Sequence, residues 1–153
     1  MNLEAQWIVG FTDGEGCFHV GIARHPEMTI GVQVLPEFVI VQHRRDIQVL
    51  HAIKRFFGCG IVRSNHADRW CYRVRKLEHL IRVIVPFFEV HSLKTRKQQD
   101  FLVFRQVIRL MTDKPHLTEE GLQRIRDLRE RLEGCEQLRQ GKVQPSGKPD
   151  GSH

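Results

Sequence analysis

The apolar positions Leu3, Trp7, Ile8 and Phe11 recur at spacings close to three and four, which predicts a short helix over residues 3–12. Gly14 and Gly16 then predict its end. From Cys17 to Arg24 the spacing changes to two, setting Phe18, Val20 and Ile22 on one face of a strand and His19, Gly21 and Ala23 on the other. The stretch "HPEMTIG" (25–31) reads as a turn. A second strand over about 31–42 carries Val32, Val34, Phe38, Ile40 and Val41 around Pro36. Proline offers no N–H to a ladder, so Pro36 favours a sheet edge or a bulge. A helix through Ile47, Leu50, Ile53, Phe56 and Phe57 follows and is stopped by "GCG" (58–60).

The pattern then repeats in outline. "IVRSNHADRWCYRVR" (61–75) reads as a hairpin turning near His66–Asp68, and Leu77–Phe88 as another apolar helix. A long helix over about 95–111 carries Phe101, Leu102, Phe104, Val107, Ile108 and Leu110. A last one over 118–139 begins at Thr118 as N-cap, with Gly121 where a capping box would want Glu or Gln. Its stripe is Leu122, Ile125, Leu128, Leu132, Cys135 and Leu138. The order α-β-β-α-β-β-α-α-α predicts an α+β fold, a short antiparallel sheet with helices on one face and one extra helix at the C-terminal side. One domain over residues 1–139 is expected, with "QGKVQPSGKPDGSH" (140–153) as a disordered tail.

Charge adds to this picture. Lys and Arg number 24 against 18 Asp and Glu, and the excess lies in residues 1–117, with 17 against 11. A basic domain body attracts polyanions. Cys17, Cys59, Cys71 and Cys135 form no C-x-x-C pair, so neither a zinc ribbon nor a redox motif is indicated and reduced thiols inside a cell are the default. His43, His51, His79, His91 and His116 have no metal-binding spacing. No apolar run approaches the ~20 residues of a membrane span, and the start lacks signal or transit patterning. No membrane partner is expected, and the chain is expected to work inside a bacterial cytoplasm or the organelle that encodes it.

The stretch "IVGFTDGEG" (8–16) sets two carboxylates, Asp13 and Glu15, among three glycines where a helix meets a strand. It resembles the nine-residue signature of the LAGLIDADG homing endonucleases: Gly10, Asp13, Glu15 and Gly16 fall where the signature has Gly, Asp, its final acidic residue and Gly. "PEFVIVQHRRDIQVL" (36–50), "FFGCGIV" (56–62), "YRV" (72–74) and "PFFEVHSLKTRKQQDF" (86–101) follow in the order typical of single-motif members. The resemblance covers about residues 5–110. It implies an αββαββα core with a saddle-shaped antiparallel sheet that sits in the major groove of double-stranded DNA, and a motif helix at a two-fold interface. A second "GxxDGEG" is missing, so a homodimer is implied, with Trp7, Gly10, Phe11, Asp13 and Gly14 at its interface.

The same resemblance implies the site. Hydrolysis of a phosphodiester needs a nucleophilic water, charge neutralisation and help for the leaving 3′ oxygen, much of which Mg²⁺ supplies when held by carboxylate and phosphate oxygens. Glu15 is the implied metal ligand and the Gly14 carbonyl a backbone ligand, with Mn²⁺ able to substitute and Ca²⁺ binding without supporting cleavage. Asp13 is expected to be structural, capping the motif helix of the partner subunit. Gln42 matches a position that orders water in the active site. The family's basic residue falls on Lys97 by the "KxxDF" pattern, the preferred reading, or on Lys94 by its distance from the preceding elements.

Sequence reading is then expected from the sheet face opposite the helices. Alternation puts His19, Gly21, Ala23 and the turn residue His25 there. It adds Gln33, Leu35, Glu37 and Val39 on the second strand, Arg63 and Asn65 on the third, and Cys71, Arg73 and Arg75 on the fourth. A bulge near Pro36 would flip one strand. The expected activity is metal-dependent cleavage of both strands of a long, pseudo-palindromic DNA site. Two rival functions use the same fold, an RNA maturase assisting intron splicing and a non-cleaving DNA-binding regulator. Intact Glu15, Gln42 and the basic loop argue against the second. A small-molecule enzyme is disfavoured by the lack of any nucleotide loop or nucleophile–base motif.

Overall fold

Helix α1 (Ala5–Glu15) runs directly into strand β1 (Gly16–Arg24), which turns through residues 25–31 into β2 (Val32–His43). The computed structural model describes residues 1–114 and 117–134. Gly31, at φ +75°, closes the turn through a hydrogen bond from the His25 N–H to its carbonyl. After a short 3₁₀ turn comes α2 (Ile47–Phe57), ended by Gly58 at φ +74°, the left-handed cap that glycine adopts without strain. Strands β3 (Ile61–His66) and β4 (Arg69–Val74) form the second hairpin. The helix expected over Leu77–Phe88 is a composite: α3 (Leu77–His79), a π-helical stretch (Leu80–Ile84) and α4 (Val85–Val90), with Pro86 in the first turn of α4. Then come α5 (Lys97–Asp113) and α6 (Glu119–Glu130).

The sheet is antiparallel, in the order β1-β2-β4-β3. Phe18 lies opposite Phe38, and Ile40 opposite both Gly16 and Tyr72. These positions face the helices and build the core with Ile8, Leu50, Ile53, Phe88, Phe101 and Phe104. The Phe18 ring has four aromatic neighbours at centroid distances of 5.2–5.5 Å. Each such fully buried side chain contributes about 1.5–3 kcal/mol relative to exposure. This aromatic packing fixes the side of the sheet on which α5 lies, and therefore where the loop before α5 meets the end of α1.

Helix α6 packs on α5 through Leu122, Ile125 and Leu128, and the Thr118 hydroxyl caps it by accepting from the Gly121 N–H at 3.1 Å. The stripe residues Cys135 and Leu138, and the tail over 140–153, lie outside the described residues.

Two expectations change and one alternative is decided. Gly14 does not end α1, which continues to Glu15 and is capped by Gly16. Of the two settings expected for Pro36, the edge position is the one found: β4 reaches only to Phe38 and leaves Pro36 without a neighbour on that side, and the pairing of β1 with β2 runs past it without a slip. The irregularity lies instead in β3, where Ser64 pairs with Trp70 and His66 with Arg69, so Asn65 is the extra residue of a bulge. Alternation therefore no longer assigns Asn65 to the outer face.

Candidate active site and sheet face

The junction of α1 and β1 is held by steric necessity. The Gly16 N–H closes the last helical turn on the Thr12 carbonyl. A Cβ on Gly16 would come within 2.6 Å of Thr12 Cγ2 and 2.9 Å of Thr12 O. Its φ of −82° suits any residue, so the close approach, and not the backbone conformation, demands glycine.

Asp13 lies one turn back on α1 and reaches the loop before α5. One carboxylate oxygen accepts from the Lys94 N–H at 2.8 Å, and the other from the Thr95 N–H at 3.1 Å and the Thr95 hydroxyl at 2.7 Å. Partial burial pushes its pKa up, but these hydrogen bonds and the nearby Lys97 charge outweigh that and hold it below the usual value. Within one chain its partner is the loop before α5, because the packing of α5 brings residues 94 and 95 against α1.

The two candidate lysines differ. Lys97, at the start of α5, is half-buried and donates its Nζ to the Gly16 carbonyl at 2.6 Å. Lys94 is exposed, and its Nζ reaches only the carbonyl of Ser92, two residues away, at 2.9 Å. Lys97 thus braces the junction, whereas Lys94 stays exposed beside it, its ammonium in a local bond to Ser92. Asp13, Gly14, Gly16, Thr95, Lys97 and Asp100 line one polar cleft of about 260 Å³. Asp100, absent from the sequence expectations, is buried there, and burial is the main cause pushing its carboxyl pKa up. Its Oδ1 accepts from the Glu133 N–H at 3.4 Å.

Glu15 is half-buried, and no hydrogen bond or ion pair among the described residues engages its carboxylate. Gly14 is exposed in the last helical turn, where carbonyls lack intrahelical donors. One carboxylate with one carbonyl suits a hard, oxygen-liking cation but is an incomplete ligand set. No group of three or more His, Cys, Asp or Glu side chains able to hold a metal occurs among the described residues. Further ligands would have to come from a substrate or a second copy of the chain. Gln42 lies at the same end of the sheet, two residues beyond the Ile40 that faces Gly16, and its Nε2 donates to the Val41 carbonyl at 2.8 Å.

On the face away from the core, the register aligns His19 with Glu37, Gly21 with Leu35, Ala23 with Gln33, Val39 with Arg73, and Arg63 with Cys71. Sequence alternation found this face correctly. It also missed Arg69, which shares the parity of Cys71 and Arg73 but adjoins the turn. The face is not uniformly open. Val39 and Cys71 pack with Val41 in a small buried cluster. Glu37 is wholly buried, with Arg75 Nε 3.0 Å and Arg73 Nε 3.4 Å from its Oε2. Val39, Cys71 and Glu37 are therefore buried parts of the face, with Glu37 Oε1 lacking a hydrogen-bond partner among the described residues, and Arg73 is buried with them. Arg63 and Arg75 are exposed, while His19, Ala23, His25, Gln33 and Leu35 are half-buried. Burial is the main cause holding the His19 pKa down, with Glu37 opposing it and the surrounding arginines adding to it.

The other open surface is a stripe on α1. Trp7 is 42% exposed and stacks on the half-buried Phe11 at 4.7 Å between ring centroids. Gly10 and Gly14 continue the stripe, and a Cβ on either would meet nothing within 4 Å. No helix among the described residues is long and apolar enough to cross a membrane.

Comparison with known proteins agrees with this geometry. A family model described as LAGLIDADG endonuclease matches residues 8–108. The crystal structure of a homing endonuclease, I-TnaI, superposes with a TM-score of 0.85 at 51% identity, covering 91% of this chain and 94% of that one. The I-SmaMI LAGLIDADG homing endonuclease bound to cleaved DNA superposes at 0.83 with 31% identity, covering 99% of this chain but 52% of that one. A probable intron-encoded endonuclease 2 of Neurospora crassa is 32% identical over 127 residues, which is 82% of this chain and 26% of that protein. The match runs from the motif helix through the whole sheet into α5, and with it the chain belongs to the LAGLIDADG endonuclease family.

Proposed function

We propose that the protein is a site-specific DNA endonuclease that works as a homodimer and hydrolyses both strands of a long duplex site with a divalent cation. The observation that carries this reading is the Glu15 carboxylate: it engages no partner among the described residues, at the end of a helix whose neighbouring stripe is open, and beside a loop that carries Lys94 and leads into Lys97. Glu15 and the Gly14 carbonyl would hold the cation, expected to be Mg²⁺, which would supply charge neutralisation at the scissile phosphate and a more acidic water. Gln42 would orient that water, and Lys94 is the basic group with freedom to approach phosphate, in place of the Lys97 preferred from sequence. The DNA would lie on the outer sheet face, with Arg63, Arg69 and Arg75 nearest to it. Incubation with a randomised duplex library and Mg²⁺, followed by sequencing of the cut ends, tests the reading; a library left intact would overturn it.

The dimer follows from one motif per chain and two strands to cut. The I-SmaMI structure, a chain about twice this length, holds bound DNA, and two copies of this chain would make up the equivalent surface. The Trp7, Gly10, Phe11 and Gly14 stripe is the expected contact. Sedimentation equilibrium should give twice the chain mass, and a stable monomer that still cuts both strands would overturn the prediction.

Binding is also expected to be salt-sensitive, since lysine and arginine neutralise phosphates and release counterions. With cleavage blocked by Ca²⁺, log K should fall linearly with log salt. A flat response between about 50 and 200 mM salt would remove the basic sheet face from the binding surface.

A further inference from the structure

We infer that Asp13 is a positioning residue acting within its own subunit: it fixes the loop that carries Lys94 and leads into Lys97 at the start of α5 against the helix that carries Glu15. The inference rests on the endonuclease reading and deepens it. Asp13 and the loop are about eighty residues apart in sequence, yet three hydrogen bonds join them, two from successive backbone N–H groups and one from the Thr95 hydroxyl. The connection continues into α5. The same Thr95 hydroxyl accepts from the Lys97 N–H at 3.2 Å, so Asp13, Thr95 and the first residue of α5 form one chain of donors and acceptors. Lys97 closes the circuit by returning its Nζ to the Gly16 carbonyl.

Beyond the Asp13 bonds, the loop is tied by the Leu93 N–H to Gln98 Oε1 at 3.1 Å and by the exposed Arg96–Glu133 ion pair at 3.7 Å. Leu93 is buried, whereas Lys94, Thr95 and Arg96 are all exposed, so the three bonds to Asp13 are the main hold on residues 94 and 95. Asp13 is two residues from Glu15, so a bond from Asp13 to the Lys94 N–H sets the separation between a carboxylate and an ammonium meant for one phosphate. Three donors of its own chain engage both oxygens of the Asp13 carboxylate, and the role these contacts support is a clamp in cis.

The test is a double-mutant cycle on single-turnover cleavage of the cognate duplex with Mg²⁺, alongside dimer affinity by sedimentation and duplex affinity in Ca²⁺. Asp13→Asn keeps the shape but turns an amino group toward one of the loop N–H donors. It should slow cleavage by about 10–100-fold, the effect of misplacing a reacting group by about 1 Å, with dimer and duplex affinities nearly unchanged. Thr95→Val, which removes one of the three bonds, should lie between Asp13→Asn and wild type. In a Lys94→Ala or a Lys97→Ala background, whichever lysine serves the reaction, Asp13→Asn should cost far less than it does alone. A loss that is fully additive with both lysines, or that tracks a weakened dimer and recovers at high protein concentration, would overturn the inference while wild type still cuts. A wild-type protein that cuts no duplex would remove the endonuclease reading and the inference together.

Discussion

Replacing Glu15 with glutamine is expected to abolish cleavage while leaving the fold and duplex binding nearly intact. The carboxylate is half-buried at the end of α1 and engages no partner among the described residues, so no internal hydrogen bond or ion pair is lost. The amide keeps the side chain's volume but gives up the charge that would hold a divalent cation. A cation at the scissile phosphate supplies several kcal/mol of transition-state stabilisation, and each 1.36 kcal/mol is tenfold in rate, so a loss of about 10³-fold or more is expected. Duplex affinity should stay level or rise slightly, since a negative charge leaves the neighbourhood of a polyanion. The measurement is a single-turnover rate on one cognate duplex with Mg²⁺, with the dissociation constant in Ca²⁺ and the melting temperature taken beside it. A rate close to wild type would reject Glu15 as the metal ligand.

How much of this was legible in the sequence depended on which forces were local. Hydrophobic spacing located α2 to the residue and put Phe18, Val20 and Ile22 on the core side, because burial on one face is written directly into alternation. The glycines were read less well. Gly14 looked like a stop because glycine often ends helices, yet α1 passes through it, held by the contact of Gly16 with Thr12. The missing N–H of Pro36 advertised an edge position or a bulge, and the edge position is found there, while the bulge occurs at Asn65, where nothing in the residue types signals it. Glu37 was read as a base-facing strand residue, since alternation gives a face but not a partner; its arginines come from β4 and the residue after it, more than thirty positions away. The roles of Thr95 and Asp100 needed the docking of α5, which sequence spacing does not encode.

The glycines of the motif give the second large expectation: Gly16→Ala should damage both stability and cleavage, and Gly10→Ala and Gly14→Ala should do neither in the same way. At Gly16 the added carbon meets the Thr12 side chain at 2.6 Å and the Thr12 carbonyl at 2.9 Å, and the second of these is backbone that cannot rotate aside. The helix end must shift relative to the strand. Overpacking of this kind costs about 1–3 kcal/mol. For a chain of 153 residues that is a fall in melting temperature of roughly 2–12 °C. The same shift moves Glu15, one residue before, and the carbonyl that receives Lys97, one atom group away, so the single-turnover rate should drop by about 100-fold or more even where the protein remains folded. At Gly10 and Gly14 an alanine carbon meets nothing within 4 Å of its own chain, and alanine is the better helix former by about 0.5–1 kcal/mol. Those two substitutions should leave the isolated chain as stable or more so, and weaken association if a second motif helix packs on that stripe. Melting curves at dilute and concentrated protein, with cleavage rates at both, separate the two cases. An unchanged melting temperature and rate for Gly16→Ala would mean that the junction yields without consequence, and that the position of Glu15 is not set by the meeting of helix and strand.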